Sequence, residues 1–209
     1  MRQLQSATDL SNGRDRDAPL PSFTDDGHSC AHCTNLQYFD RSADGYDRWM
    51  CNRYDAPTRD AVERHWAVRQ IAPQEWDDVL FPRGHGPFIR RAHADAGFSK
   101  ELVVGQWGLI PWFAKEPKLK YPTNNARSEE LADKASYKHP WARGQRCIIP
   151  ANTFDEPNWE TGKNVWWRFR RSDGQPWGLA GLWNTWTDKS TGEVHESYTM
   201  ILGAPTVTQ

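Results

Sequence analysis

The sequence predicts a mostly β protein of the α+β class, with a barrel-like sheet and a few short helices. Three observations favour this class. The 209 residues are enough for one domain with a sizeable core. Fifteen Gly and fourteen Pro interrupt the chain too often for long helices. Short segments rich in β-branched and aromatic side chains recur between Gly, Pro and Asp-Gly turn signals, as is typical of strands.

The individual elements follow from local patterns taken in chain order. A helix is predicted over residues 58–68, because Thr58 can cap it and apolar side chains recur at helical spacing. A second, short helix is predicted over residues 128–135. The predicted strands span residues 88–91, 102–109, 145–149, 165–170, 177–183 and 197–202. No helix or return strand follows the last of these, so we expect a domain that is truncated at its C-terminus.

The first 49 residues differ in composition from the rest of the chain. They contain no Val or Ile, and their five Arg and eight Asp give a net charge of −3, against +2 for the remainder. Such a segment cannot fill a core. We interpret residues 1–49 as a disordered extension, or as upstream sequence joined by a misassigned start codon, and residues 50–209 as the domain. Met50, directly before Cys51, favours the misassigned start.

Composition also excludes several classes of protein. No apolar stretch is long enough to span a membrane and no secretory signal is present, so we expect a cytoplasmic protein without a membrane partner. Four Cys are too few for a disulfide framework. A weak zinc motif lies at residues 28–33, but no second pair of Cys follows it. We expect neither a metal nor a cofactor.

Cys51 is the first residue to which the sequence assigns chemistry. As the first residue of a chain, it would carry a thiol beside an α-amine whose pKa is about 7.7–8.0. An aldehyde would react with the amine to form an imine, and the thiol would then close a five-membered thiazolidine. The alternative is that Cys51 is an internal, buried side chain that acts as a small hydrophobe.

Two later segments offer groups that could assist such a reaction. Asn125 could orient an amine, and Arg127, on the same face of an extended segment, has donors matched to phosphate. The alternative is a turn that leads into the helix at 128–135. Asp155 and Glu156 follow an apolar strand, where a partly buried carboxyl group can serve as a general acid or base. Glu156 is the candidate and Asp155 its rival, and the alternative is an exposed turn carboxylate.

Tryptophan close to arginine suggests a surface for single-stranded nucleic acid. Trp107 and Trp112 lie beside a Gly and a Pro, and exposed rings there would form a stacking platform in a basic groove. The alternative is that these rings belong to the core. The basic residues expected around such a platform are Arg53, Arg90, Arg91 and Arg127.

Taken together, five motifs in a fixed order resemble the SRAP family, the SOS response-associated peptidases. The motifs are Met-Cys-Asn-Arg at 50–53, Trp-Gly-Leu-Ile-Pro at 107–111, Asn-Ala-Arg-Ser-Glu at 125–129, Arg-Cys-Ile-Ile-Pro at 146–150 followed by Glu156, and Gly-Leu-Ala-Gly-Leu-Trp at 178–183. The resemblance covers about residues 50–202. It implies a mostly β, barrel-like fold and a basic cleft that binds single-stranded DNA containing abasic sites. We also expect a monomeric chain without a membrane partner.

The resemblance also implies a role for each matching residue. Cys51 would form a thiazolidine with the opened sugar of an abasic site, Asn125 would position its amine, and Glu156 would assist ring opening and proton transfer. The residues expected to contact DNA are Arg53, Arg127, Trp107 and Arg90. The word peptidase fits autoproteolytic removal of the residues before Cys51.

Two departures from the family pattern leave alternatives open. The nitrogen of Cys51 is an amide in the sequence as written, and an amide forms neither an imine nor a thiazolidine. The family also uses a histidine C-terminal to the strand at 197–202, which this chain does not contain, and His195 precedes that strand. The alternatives are therefore a remnant that binds single-stranded DNA without crosslinking it and, less favoured, a cysteine hydrolase.

Overall fold

The computed structural model describes the backbone of residues 2–7 and, with side chains, residues 51–70, 74–92, 99–158, 162–163 and 165–203. These ranges form two sheets and two short α-helices. The strands are β1 (Arg2–Ala7), β2 (Arg53–Asp55), β3 (Val79–Leu80), β4 (His85–Arg91), β5 (Lys100–Trp107), β6 (Asn125–Arg127), β7 (Arg146–Ala151), β8 (Thr153–Asn158), β9 (Val165–Arg171), β10 (Trp177–Thr187) and β11 (Val194–Leu202). The helices are α1 (Arg59–Trp66) and α2 (Lys138–Ala142), and a 3₁₀ turn covers Ser128–Glu130.

Five strands close into a barrel. Their order is β10, β7, β4, β5 and β11, and β10 pairs with β11 to complete the ring. The pairings are antiparallel except between β5 and β11, which run parallel. Beyond the point where β5 ends, β6 pairs with β11 along the same edge. The predicted fold class, a mostly β protein with a barrel-like sheet and few helices, is confirmed.

A second, antiparallel sheet packs at one end of the barrel. Its order is β1, β9, β8, β2 and β3. Strands β2 and β8 of this sheet carry Arg53, Asp155 and Glu156, and Cys51 lies two residues before β2. The second sheet therefore brings three of the residues singled out in the sequence to the same end of the barrel.

Large aromatic side chains fill the barrel at this end. Tyr54, Trp107 and Tyr198 are fully buried there, and the hydroxyl groups of Tyr54 and Tyr198 are hydrogen bonded to each other. The backbone of β4 must approach these rings closely, because a Cβ atom at Gly86 would lie 2.6 Å from the Tyr54 hydroxyl. Burial of three aromatic rings, each contributing several kcal/mol by area, makes this the main core of the domain.

Most predicted elements are present, with longer strands than expected. The helix predicted over 58–68 is α1. Thr58 occupies its N-cap position, but its side chain makes no capping hydrogen bond, so that part of the prediction is wrong. Each of the six predicted strands overlaps an observed strand. The helix predicted over 128–135 is wrong, since only a 3₁₀ turn forms there. The turns that follow bury Leu131 and Tyr137 against Ala126 and Leu182.

Strand β1 is the part of the N-terminal segment that the structure describes. It adds to the edge of the second sheet by pairing with β9, which the prediction of a disordered extension did not include. The rest of residues 1–49, with the zinc motif at 28–33, lies outside the described residues, so the domain boundary stays a prediction. Of the helices described, none has the length and apolar character needed to cross a membrane. The cytoplasmic address and the monomeric state stay predictions.

Candidate active site around Cys51

Cys51 lies at the end of the barrel core, just before β2. Its side chain is 2% exposed and packs in the cluster that contains Tyr54 and Trp107. The thiol donates a hydrogen bond to the main-chain oxygen of Arg53 at 3.4 Å. Burial raises the pKa of the Cys51 thiol well above its usual value, and the nearby carboxylate of Glu156 raises it further. The thiol is therefore protonated at neutral pH.

Two adjacent asparagines hold the main chain of Cys51. The side-chain amide of Asn125 donates to the Cys51 carbonyl at 2.8 Å, and that of Asn124 donates to the same oxygen at 3.3 Å. The Trp107 indole donates to the Asn124 carbonyl at 2.9 Å, and the Tyr137 hydroxyl donates to the Asn125 carbonyl at 2.8 Å. Buried aromatic residues thus bind the main-chain oxygens of both asparagines. The structure brings Asn125 and Cys51 together.

Glu156 lies on β8, in electrostatic contact with Cys51. Burial, with a further contribution from the neighbouring Asp155, raises the pKa of Glu156 to about 8. Its Oε2 atom is buried and has no hydrogen-bond partner among the described residues. The Oδ1 atom of Asn125 is in the same situation. Two buried acceptors without partners beside one cysteine are a reason to suspect a ligand site.

Asp155 and Glu156 differ in the contacts that they make. Asp155 accepts hydrogen bonds from the guanidinium groups of Arg53 and Arg168, at 2.9 Å from Arg168 Nε, and is 2% exposed. Burial raises the pKa of Asp155 to about 6 in spite of the opposing effect of Arg53, so that it is ionised at pH 7. Asp155 is the anion that holds two arginines in place, whereas Glu156 keeps a carboxyl oxygen without a partner.

The residues predicted to contact DNA differ in their exposure and in their partners. Trp107 is wrong as a stacking residue, because it is 0% exposed and belongs to the core. Arg90 is also wrong as a DNA contact, because it is buried inside the barrel between Glu101 and Glu196. Arg53 is partly exposed but pairs with Asp155, so its role as a phosphate contact stays a prediction. Arg127 is exposed at the end of β6, beyond Asn125.

The structure distinguishes the two tryptophans that were predicted to form a stacking platform. Trp112 is 62% exposed and packs edge to face against Phe113, with ring centroids 5.8 Å apart, so Trp112 and not Trp107 can present a ring to a base. The sequence suggested no role for Asn124 beyond the alternative of a turn that precedes residues 128–135. The only sign of a role for Asn124 was its position beside Asn125. That sign was weak, because two adjacent side chains of an extended strand point to opposite faces. Both asparagines reach Cys51 because Asn124 precedes β6.

Comparison with known proteins identifies the family. The model of the family described as SOS response associated peptidase (SRAP) matches residues 50–207. The chain belongs to the SRAP family. A crystal structure of a protein from Bordetella bronchiseptica has the same fold, with a TM-score of 0.63 and 36% identity over 73% of this chain and 72% of that one. A structure from Bacteroides thetaiotaomicron, at 21% identity and a TM-score of 0.60, agrees in fold.

Curated relatives of this SRAP chain are named abasic site processing proteins. HMCES of Xenopus tropicalis is 29% identical in an alignment of 154 residues, and the match covers 57% of this chain and 43% of HMCES. YoqW of Bacillus subtilis is 36% identical over 107 residues, covering 51% of this chain and 46% of YoqW. YoaM of the same organism is 34% identical over 162 residues, covering 73% and 66%. The chain thus spans less than half the length of HMCES and YoqW.

Proposed function

We propose that this SRAP chain processes abasic sites in single-stranded DNA by forming a covalent crosslink between Cys51 and the opened sugar. The names of the relatives suggest the substrate class. The observation that carries the proposal is the environment of Cys51: Asn125 binds its main chain, and Asn125 and Glu156 each keep a buried oxygen without a partner among the described residues. Such oxygens are suited to accept hydrogen bonds from an amine or from a substrate hydroxyl.

The reaction requires a free α-amine on Cys51. In the sequence as written, that nitrogen belongs to the peptide bond with Met50. The proposal therefore includes removal of the residues before Cys51, by hydrolysis of this peptide bond in the chain itself. The word peptidase in the family description is consistent with such a step.

The chemistry then balances without an oxidant or a reductant. The Cys51 amine adds to the aldehyde carbon of the opened abasic sugar, and the adduct loses water to give an imine. The sulfur forms a bond to the same carbon, and the thiol proton ends on the nitrogen. The product is a thiazolidine, with one water released, in which the sugar carbonyl is no longer available for strand cleavage.

Glu156 is suited to the proton transfers of these steps. With a pKa of about 8, it is about nine-tenths protonated at pH 7, so it can give a proton to the leaving hydroxyl group. The resulting carboxylate can accept the proton of the thiol, which needs a base because burial keeps the Cys51 thiol protonated. The unpartnered Oδ1 of Asn125 can accept a hydrogen bond from the amine and hold it against the aldehyde.

Single-stranded DNA is the substrate form that the exposed aromatic residues favour. Trp112 and Phe113 are 62% and 42% exposed and lie on the segment that leads from β5 towards Asn124 and β6. Exposed rings stack on unpaired bases, and Arg127 offers a guanidinium to a phosphate near Asn125. A duplex would keep its bases paired and would not offer their faces to these rings.

The environment of Cys51 does not favour a cysteine hydrolase. A nucleophilic cysteine needs a lowered thiol pKa, usually through a partner histidine. Here the pKa is raised, and the hydrogen bond that the thiol donates goes to a main-chain oxygen. The DNA-binding remnant differs from the proposed enzyme only in forming no adduct, so a crosslinking experiment separates them.

The test uses the full chain with a site for a specific protease introduced directly before Cys51, so that the domain folds before it is cut. Cleaved and uncleaved protein are incubated with a single-stranded oligonucleotide carrying one abasic site, and a denaturing gel separates the adduct. We expect an adduct from the cleaved protein only, and none from the cleaved Cys51→Ala variant. An adduct from the uncleaved chain would refute the amine chemistry. Binding without any adduct from the cleaved protein would support the remnant.

A further inference from the structure

A basic cavity lies at the end of the barrel opposite to Cys51. Strand β7 defines the two ends: Ala151 and Asn152 adjoin β2, which follows Cys51, whereas Arg146 begins the strand at the other end. The cavity has a volume of about 590 Å³. Its polar lining consists of Arg91, Arg143, Gln145, Arg146, Asn184 and Thr185.

The turn after α2 builds one wall of this cavity. Gly144 has a φ of 69°, and its N–H donates to the Trp141 carbonyl at 3.1 Å, while the N–H of Arg143 donates to the His139 carbonyl at the same distance. This left-handed turn ends the helix. It also places Arg143 and Arg146 on either side of one glycine, and a Cβ atom at Gly144 would lie 3.4 Å from Arg146 Nη1. The turn therefore places the main chain of both arginines beside the cavity, which both residues line.

The lining of the cavity is basic. Three of the lining residues that the structure describes are arginines, and none of these described residues is acidic. Arg146 stacks on Trp141 at 4.2 Å, and Arg143 contacts the His139 ring nitrogen at 3.2 Å. Neither forms an ion pair among the described residues. Guanidinium groups kept away from carboxylates, with their planar donors in a recess, are suited to bind a phosphate group.

Direct contacts connect the cavity to the exposed aromatic residues. Asn184 donates to the Ile110 carbonyl at 2.7 Å, two residues before Trp112. The Trp112 ring lies 6.2 Å from the His139 ring, and His139 in turn contacts Arg143. A strand whose base stacks on Trp112 would therefore continue towards a recess that is lined by arginine.

We infer that this cavity, lined by Arg91, Arg143 and Arg146, binds a backbone phosphate of single-stranded DNA beyond the Trp112 ring. The inference rests on the proposed function for the identity of the polymer. It extends the DNA contact from the Cys51 end of the barrel to the other end, at a place where the DNA carries no lesion. The arginines would then contribute to affinity for any sequence, because phosphates carry no base information.

The test measures binding of a lesion-free fluorescent oligonucleotide to the full chain by anisotropy, at salt concentrations from about 50 to about 200 mM. The variants are Arg143→Gln, which leaves the stack of Arg146 on Trp141 intact, and Arg143→Gln combined with Arg146→Gln. The matched control is Arg64→Gln, because Arg64 is exposed on α1 and no ion pair to it is seen in the described part of the chain. Thermal unfolding of each variant shows whether the fold is kept.

For single strands, each lost phosphate contact should reduce the slope of log affinity against log salt by about 0.7. Because the double variant loses its contact with one phosphate, the affinity change between about 50 and about 200 mM salt should shrink by about 2.6-fold, with no change in Arg64→Gln. A double variant that is folded and has the slope of the control overturns the inference, even if the cleaved wild type still crosslinks. A reduced slope in a protein that never crosslinks supports the cavity and refutes the proposed function. Inorganic pyrophosphate that binds the cavity while the DNA slope stays unchanged would also overturn the inference.

Discussion

Replacing Glu156 by Gln should stabilise the fold at neutral pH. The folded protein raises the pKa of Glu156 from 4.5 to about 8, so the folded state disfavours the ionised carboxylate. The penalty is absent below pH 4.5, grows between pH 4.5 and 8, and is constant above pH 8. At about 1.4 kcal/mol for each pKa unit, it amounts to about 3 kcal/mol at pH 7 and about 1 kcal/mol at pH 5. A neutral Gln of nearly the same shape avoids this penalty.

Urea unfolding at pH 5, 7 and 8 measures the effect. At about 1–3 kcal/mol per molar urea, the midpoint of Glu156→Gln at pH 7 should lie roughly 1–3 M above that of the parent chain, and the two midpoints should converge towards pH 5. Glu116→Gln is the matched control, because Glu116 is exposed and should change stability little at any of these pH values.

The same substitution should abolish most of the proposed chemistry, because Gln neither gives nor accepts a proton. Loss of a general acid and base typically lowers a rate by about 10²–10⁴. In the cleaved protein we therefore expect adduct formation to slow by at least about a hundredfold, on a denaturing gel timed over minutes to hours. Unfolding midpoints of Glu156→Gln that follow those of the parent chain at every pH would show that the carboxylate is solvated, and the reasoning would fail. A crosslinking rate equal to that of Glu116→Gln would remove Glu156 from the mechanism.

Three further predictions follow from the contacts of single residues. Asn125→Ala removes a 2.8 Å hydrogen bond to the Cys51 carbonyl, so it should destabilise the fold by only about 1 kcal/mol. It should nevertheless slow adduct formation at least about tenfold, because the Cys51 amine loses its positioning group. Equal rates of adduct formation on a timed gel would contradict this. Asp155→Asn removes an anion from Arg53 and Arg168, but it also removes the burial penalty that raises the pKa of Asp155 to about 6, and Asp55 remains close to both arginines. The free energy of urea unfolding at pH 7 should therefore change by less than about 1 kcal/mol, and a loss of several kcal/mol would show that the ion pairs outweigh the burial penalty. Trp112→Ala should weaken single-stranded DNA binding, measured by anisotropy, by about 1–3 kcal/mol with little change in stability. Trp107→Ala should instead lower the free energy of unfolding by about 3–5 kcal/mol, because Trp107 is buried. The opposite pattern would mean that Trp107, and not Trp112, is exposed to DNA.

Local patterns predicted six of the eleven strands that the structure describes, and they failed where contacts between distant segments decide the conformation. Strand β10 was predicted because its turn residues and alternating side chains are local features. Strand β8 was missed, since Pro157 and two adjacent acidic residues argue against a strand. It forms because its partners in the sheet, β2 and β9, are supplied by distant parts of the chain. The helix predicted over 128–135 failed for a related reason, because Tyr137 and Leu131 are buried by other elements.

The candidate site shows the same division. Cys51, Asn125 and Glu156 could be selected from the sequence, because the types of residue and their motifs carry chemical information. The family resemblance favoured Glu156 over the adjacent Asp155. The structure shows a difference between the two, because Arg53 and Arg168 pair with Asp155, whereas Glu156 Oε2 has no hydrogen-bond partner among the described residues.

By itself, the sequence determined the fold class, the order of the strands along the chain and the residue types that chemistry at Cys51 would need. Only the tertiary structure decided which side chains are available to a ligand. Trp107 and Trp112 stand five positions apart on the same motif, yet one is 0% and the other 62% exposed. Exposure and pairing depend on which distant segments pack against a residue, and a one-dimensional pattern does not contain that information.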